Sequence, residues 1–163
     1  MTGEAGAREL RSDEFGLAEK LWENYHQTKG DPSIDRVFGV FSGNALVSVA
    51  RCRRHPDGYE VDGVFTPEDL RGHGYAKLAV AALVEACHHD LLYMHAILGL
   101  VPFYRAFGFE SIDESGLPPT IRARFAFALG EMEGSNVQPM KRGPGLKLAE
   151  FRELLKNSVQ RRN

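Results

Sequence analysis

A glycine-rich segment in the middle of the chain has the residue types of an anion-binding loop. Residues 70–77 read Leu-Arg-Gly-His-Gly-Tyr-Ala-Lys. Gly72 and Gly74 permit positive φ angles and let a ligand approach the backbone closely. The first amides of a helix carry partial positive charge, which suits a pyrophosphate, and Arg71 adds a planar fork of donors. The segment therefore predicts a pyrophosphate cradle; the alternative is a plain Gly-x-Gly turn before a core helix.

Two other kinds of phosphate loop do not fit this segment. A Walker loop ends in Gly-Lys-Ser or Gly-Lys-Thr, and that ending is missing here. The dinucleotide fingerprint requires a third glycine at the position that Lys77 occupies. Both loop classes are therefore excluded.

A second motif, downstream of the first, supplies a candidate acid. Phe103-Tyr104 is followed closely by Gly108-Phe109. A tyrosine hydroxyl has an ordinary pKa of about 10, so it can protonate a thiolate of similar basicity. The alternative is that Tyr104 is a half-buried aromatic residue whose hydroxyl bonds the backbone.

The elements around these motifs indicate a mixed sheet. Alternating apolar residues predict three antiparallel strands over 36–41, 45–51 and 59–66. Residues 77–89 are apolar nearly all round, which predicts a deeply buried helix, and a short strand follows at 91–96. A strand, loop, helix and strand in this order imply a parallel pair with a right-handed crossover.

The remaining elements complete one α+β domain over residues 1–145. They are a short helix at 100–107, a strand at 109–112, a loop or short helix at 117–127 and a strand at 136–140. Because Pro139 lacks an N–H group, the last of these strands is expected at a sheet edge. Residues 146–163 form a basic amphipathic helix, which either packs on the domain or lies at a homodimer interface.

Together, the two motifs resemble those of the GNAT superfamily of acyl-coenzyme A-dependent N-acetyltransferases. The coenzyme motif of that family, Arg/Gln-x-x-Gly-x-Gly/Ala, reads here as residues 71–76. Its second motif is an aromatic-Tyr pair followed by Gly-Phe, as at 103–104 and 108–109. The resemblance implies an α/β sandwich: a mixed, mostly antiparallel central sheet splayed between strands 4 and 5, with helices on both faces and coenzyme A in the splay.

The resemblance also assigns roles to residues. Backbone amides of the glycine-rich segment would hold the pyrophosphate, the strand ending at Thr66 would pair with the pantetheine arm, and Tyr104 would protonate the leaving thiolate. The implied coenzyme-binding residues are Val64, Phe65, Thr66, Arg71, Gly72, His73, Gly74, Tyr75, Ala76 and Lys77.

The base that deprotonates the acceptor is less clearly marked. Glu60 and Asp62 share one face of a strand by its period of two, with Val61 on the other face. Either carboxylate is a candidate base, and the alternative is that both are solvated polar residues. His95, at the end of the next strand, is a further candidate, since its ordinary pKa lies near neutrality.

These inferences predict an acyltransferase that moves the acetyl group of acetyl-CoA directly to a primary amine of a small molecule or peptide, without a metal. A non-catalytic acyl-CoA sensor that keeps only the cradle is the alternative. The loop before the first predicted strand and the segment 115–140 are expected to select the acceptor; the second of these contains charges of both signs. Its acidic residues favour a basic acceptor, whereas Arg122 and Arg124 are suited to a substrate carboxylate, and both alternatives stay open.

The composition of the chain limits the class of protein to which it can belong. The chain has 163 residues, of which 43% are hydrophobic and 26% charged, which is typical of one soluble domain rather than a disordered chain. The sequence contains no apolar run long enough for a membrane span, and its charged start does not fit a signal peptide. Two cysteines, Cys52 and Cys87, are too few for a disulfide framework or a zinc site, so we expect a cytoplasmic location.

The net charge of -2 argues against binding nucleic acid through overall charge. Residues 141–163 are an exception, with seven Lys or Arg and two Glu. A solvated helix face explains this tail, and contact with an acidic partner or RNA is the alternative.

Overall fold

The computed structural model describes residues 5–131 and 136–162 and contains a single mixed sheet. Its strands are β1 (Gly6–Glu9), β2 (Asp35–Ser42), β3 (Ala45–His55), β4 (Gly58–Phe65), β5 (Leu92–Ile97), β6 (Glu110–Ser111) and β7 (Val137–Arg142). The helices are α1 (Phe15–Trp22), α2 (Tyr75–Ala86), α3 (Val101–Arg105), α4 (Pro119–Glu131) and α5 (Leu148–Arg162). The order in the sheet is β1-β2-β3-β4-β5-β7-β6.

The predicted meander is present as β2, β3 and β4, which pair antiparallel. β3 is longer than predicted because its pairing with β4 continues to His55 and Gly58, so the polar loop between them shrinks to a tight turn; β4 keeps its predicted length but begins and ends one residue earlier. β1, which the sequence analysis did not predict, adds an edge strand against β2. Its four residues, two of them charged, carry too little hydrophobic alternation to mark a strand.

The predicted crossover is also present. α2 connects β4 to β5, which are the parallel pair of the sheet. Ala79, Val80, Leu83 and Val84 of α2 are fully buried against the sheet. Burying an aliphatic side chain of the size of Val or Leu contributes roughly 1.5–3 kcal/mol. This packing fixes the start of α2, and with it the glycine-rich segment, at the end of β4.

The sheet opens between its two parallel strands. β4 and β5 pair from Tyr59–Leu92 only as far as Val61–Met94. Beyond this point β4 continues to Phe65 and β5 to Ile97 without pairing to each other. The predicted fold class, a GNAT-like mixed sheet splayed between strands 4 and 5 with helices on both faces, is therefore confirmed.

The predicted edge position of the last strand was wrong. β7 lies inside the sheet, between β5 and β6. Pro139 accepts a hydrogen bond from the Ile112 amide through its carbonyl but cannot return one. The side-chain amide of Gln138 donates to the Ile112 carbonyl instead, at 2.9 Å. A neighbouring side chain thus supplies the hydrogen bond that proline lacks, which makes proline tolerable in an interior strand.

The C-terminal segment is attached to the body of the domain by a buried arginine. Arg142 donates to the carbonyls of Phe107 and Leu146, each at 2.7 Å. Leu148, the first residue of α5, is buried, whereas Leu154 and Leu155 are exposed. Helix α5 therefore begins against the domain, and the predicted dimer contact of its outer part stays a prediction.

Among the described residues, no helix has the length and apolar character that a membrane crossing needs.

Candidate active site

The splay between β4 and β5 contains a cavity of about 500 Å³. One end, the coenzyme end, is formed by the glycine-rich segment at the start of α2. The other end, here called the acceptor end, is formed by Tyr25, Asp62, His95 and Tyr104. Further lining residues are Val61, Gly63, Val64, Thr66, Leu70, Met94, Ala96, Ile97, Leu100 and Phe103.

The coenzyme end has the geometry that an anion cradle needs. Gly72 and Gly74 have φ angles of +86° and +81°, and a Cβ atom at either position would meet nothing within 4 Å. Gly74 is the residue that precedes α2, so the free amides of the first turn face outward from this point. The Arg71 guanidinium donates through Nε to the Thr66 carbonyl at 3.0 Å and so ties the loop to the end of β4. The open backbone, the start of a helix and the arginine side chain together suit the binding of a pyrophosphate group.

The predicted coenzyme-binding residues do not all reach the cavity. The following line it: Val64, Thr66, Arg71, Gly72, Gly74, Tyr75, Ala76 and Lys77. Phe65 and His73 do not. The Phe65 ring instead stacks on the ring of Tyr25, with 5.0 Å between the ring centres, and the exposed His73 ring stacks on Tyr75 at 5.4 Å. A role for the His73 backbone amide, which the resemblance implies, stays a prediction.

A β-bulge interrupts the pairing of β4 where Gly63 and Val64 line the cavity. Arg51 pairs with Asp62 and Val49 with Phe65, so β4 has one more residue than β3 over this stretch. Gly63 has a φ angle of +60°, and its carbonyl accepts a hydrogen bond from the Trp22 indole at 2.9 Å. A bulge leaves the extra residue without a ladder partner. Backbone amides of this stretch are therefore suited to polarising a bound carbonyl group.

Tyr104 is placed as a candidate acid. Its residue surface is only 5% exposed, yet among the described residues its hydroxyl has no hydrogen-bond partner. Burial, and secondarily the nearby Tyr25, raises its pKa well above the usual value of about 10. The hydroxyl therefore keeps its proton. The rings of Phe103 and Phe109 pack edge-on against Tyr104 and hold its orientation.

Of the two candidate carboxylates, Asp62 lines the cavity and Glu60 does not. Asp62 receives two hydrogen bonds from Arg51, at 2.7 and 2.6 Å, and one from Arg124 at 3.2 Å. Glu60 is 2% exposed, lies 2.9 Å from His55 Nε2 and pairs with Arg124 at 2.7 Å. Burial works to raise the pKa of Glu60, but the His55 hydrogen bond and the Arg124 and histidine charges together lower it.

His95 lines the cavity together with Asp62. Its Nε2 is 3.0 Å from the Ile121 carbonyl, which can only accept a hydrogen bond, so Nε2 carries the proton. The neutral ring therefore has its lone pair on Nδ1, which is buried and without a partner among the described residues. Glu60 lies 3.9 Å from Nε2.

Tyr25 is a site residue that sequence reasoning missed. It follows α1 and lines the cavity close to Asp62. Burial and the Asp62 charge raise its pKa. In the sequence, Tyr25 recurs at helical spacing with Leu21 and Trp22, which is typical of the apolar face of a helix, and no local motif distinguishes a cavity-facing aromatic residue from a core one.

A family model described as "Acetyltransferase (GNAT) family" matches residues 5–109. The chain belongs to this family. No curated protein matches the sequence.

Solved structures with the same fold cover most of this GNAT chain. Escherichia coli ElaA has 18% sequence identity and a TM-score of 0.60, with 88% of this chain and 100% of that chain covered. The E. coli ribosomal-protein-S18-alanine N-acetyltransferase has 11% identity and a TM-score of 0.63, with 88% and 96% covered. N-acetylglutamate synthase from Neisseria gonorrhoeae, solved with coenzyme A and N-acetyl-glutamate, has 13% identity and a TM-score of 0.64, with 87% and 35% covered.

The family match identifies the chain as an acyltransferase of the GNAT N-acetyltransferase type. At these identities the neighbours establish the fold alone, so they do not assign an acceptor. Among the residues that the structure describes, no group of three or more His, Cys, Asp or Glu side chains has the arrangement of a metal site.

Proposed function

We propose that this GNAT protein transfers the acetyl group of acetyl-CoA directly to a primary amine. The observation that carries the proposal is the position of Tyr104: its unpartnered hydroxyl lines the same cavity as the phosphate-type cradle of residues 70–77. An acyl-CoA sensor needs the cradle but has no need of a buried, protonated phenol on the cavity wall.

Each part of the cavity has a step to perform. The amides at the start of α2 and Arg71 bind the pyrophosphate of the coenzyme. The bulge around Gly63 aligns the acetyl carbonyl and polarises it through a backbone amide. Tyr104 donates its proton to the departing thiolate, and its raised pKa ensures that the hydroxyl still carries this proton when the thiolate forms beside it.

The acceptor amine is received at the other end. Asp62 faces the cavity and accepts a hydrogen bond from the incoming ammonium. Glu60 supports it from behind by holding Arg124 and His55. His95 presents the free lone pair of a neutral imidazole nearby, which makes it a second candidate to take the proton.

A transfer assay with the full chain tests the proposal. Acetyl-CoA is mixed with a panel of primary amines, and release of the coenzyme thiol is followed with a thiol reagent. Thiol release that depends on the amine is expected. If acetyl-CoA raises the melting temperature but no amine releases thiol, the protein is a sensor and the proposed activity is wrong.

A further inference from the structure

The charges around the acceptor end show a clear separation between those that face the cavity and those behind it. Asp62 is the only formally charged side chain among the four residues that form this end. The cations nearby, Arg51 and Arg124, do not line the cavity in the described part of the chain. Both are turned onto carboxylates: Arg51 onto Asp62, and Arg124 onto Asp62 and Glu60.

Arg122, the other arginine suited to a substrate carboxylate, also lies off the cavity. It pairs with Glu114 at 3.2 Å, and both side chains are largely exposed. The side chains of residues 126–135 are not described by the structure, but that stretch contains no Lys or Arg in its sequence. No candidate remains in α4, or in the sequence that follows it up to residue 135, to hold a carboxylate at the acceptor end.

Asp62 itself is prepared to accept one more hydrogen bond. A carboxylate has about four acceptor positions, and arginine groups fill three of those on Asp62. Oδ1 receives one bond, from Arg51 Nε, whereas Oδ2 receives two. Among the described residues, nothing but Arg51 bonds to Oδ1, so this oxygen can accept one more hydrogen bond. Arg51 also holds the Asp62 side chain in a fixed orientation on the cavity wall.

We propose that the acceptor is a primary amine whose neighbouring carbon carries no carboxylate, bound through a hydrogen bond to Asp62. This inference rests on the proposed function and narrows its substrate class. A free α-amino acid would bring its own carboxylate next to Asp62. The two cations near Asp62, Arg51 and Arg124, already pair with carboxylates, and the described cations that line the cavity, Arg71 and Lys77, belong to the coenzyme end. Like charges placed together at a binding site are strongly unfavourable. Alkylamines, lysine side chains and peptide N-termini share the required chemistry.

Matched pairs that differ only by the α-carboxylate test this inference. The binding of tyramine and tyrosine, and of phenethylamine and phenylalanine, is measured by calorimetry with the protein saturated with coenzyme A. The amine of each pair is expected to bind about tenfold or more tightly than the amino acid. Equal affinities, tighter binding of the amino acids, or no binding by either member overturns the inference.

Thiol release with acetyl-CoA separates this inference from the proposed function. If the amines bind preferentially but release no thiol, the transfer activity fails and the acceptor class stands. If thiol is released from both members of a pair at equal rates, transfer stands and the acceptor class fails. A blocked peptide with one lysine and a lysine-free peptide with a free N-terminus then distinguish the possible macromolecular sources of the amine from a small alkylamine.

Two variants test whether Asp62 causes the preference for amines over amino acids. Asp62→Asn removes the like charge, so the preference for tyramine over tyrosine is expected to shrink to within about threefold. Arg122→Gln changes one charge in α4 away from the cavity and is expected to leave the preference as it is. A preference that Asp62→Asn leaves intact would show that Asp62 does not set it. If melting shows that Asp62→Asn does not fold, the wild-type ratio still decides between the two classes.

Discussion

The two ends of the cavity are built in different ways. The coenzyme end uses backbone groups and one arginine from a single run of residues, 70–77, at the start of one helix. The acceptor end uses side chains from the segment after α1, from β4, from β5 and from α3. A cradle for an unchanging group can be encoded locally, whereas a site for a variable acceptor is assembled from distant parts of the chain.

The largest effect is expected at the acceptor end, where a side chain does chemistry. Tyr104→Phe removes the proton donor and keeps the ring, so kcat should fall about 100- to 10,000-fold. The affinity for acetyl-CoA, measured by calorimetry, should stay within about twofold because the cradle lies at the other end. A variant that keeps its turnover would mean that the acceptor end has no acid at this position.

A smaller effect is expected from the backbone of the coenzyme end. Gly74→Ala places a side chain at a φ angle of +81°, a backbone conformation that costs roughly 1–2 kcal/mol. We expect the free loop to relieve this strain by leaving the cradle conformation, which binding must then restore, so acetyl-CoA should bind about 5- to 30-fold more weakly. Nothing lies within 4 Å of the new Cβ atom, so the effect is one of backbone conformation alone.

Gly43→Ala is the matched control for that variant. Gly43 has a φ angle of +61° in the β2–β3 turn and also has open space around it. Both variants should lose similar stability, but only Gly74→Ala should lose coenzyme affinity. Equal affinities for acetyl-CoA in the two variants would remove residues 70–77 from the binding site.

Glu60→Gln tests whether the acceptor end extends behind the cavity wall. Glu60 is off the wall, so kcat should change by less than about threefold. The variant loses charge-assisted bonds to His55 and Arg124, and a loss of roughly 1.5–3 kcal/mol would lower Tm by about 3–12 °C. Turnover falling far more than stability would instead identify Glu60 as the base.

The smallest effect is expected when kcat of the wild-type protein is measured as a function of pH. Because burial raises the pKa of Tyr104 above its usual value, the hydroxyl loses its proton only at higher pH than a free phenol does. The rate should therefore not decline through Tyr104 ionisation at any pH up to about 10. A decline with a midpoint below that value in the wild type would place Tyr104 in a more polar setting than the structure shows.

Local sequence patterns were sufficient for the elements whose signals lie within a short window. The β2–β4 meander, the apolar helix α2 and the strand β5 were all predicted from spacing. The Gly-x-Gly segment was predicted in the same way, since a glycine pair before a core helix marks the φ angles that the structure has at Gly72 and Gly74.

Positions that depend on distant partners could not be predicted in this way. Pro139 indicated an edge strand, yet Gln138 supplies the missing hydrogen bond and β7 lies inside the sheet. The period of two puts Glu60 and Asp62 on one face of β4, but only the tertiary structure distinguishes the carboxylate on the cavity wall from the one behind it.

The sequence by itself determined the fold class and the family, through two motifs and the order of the elements around them. It also determined the positive φ angles of Gly72 and Gly74, because a glycine pair before a core helix marks them locally. The tertiary structure decided which side chains face the acceptor. Tyr25 and Arg124 reach the neighbourhood of Asp62 from segments on either side of β4, far away along the chain. Which charges face a cavity and which are neutralised behind it depends on three-dimensional pairing, and no local spacing records that pairing.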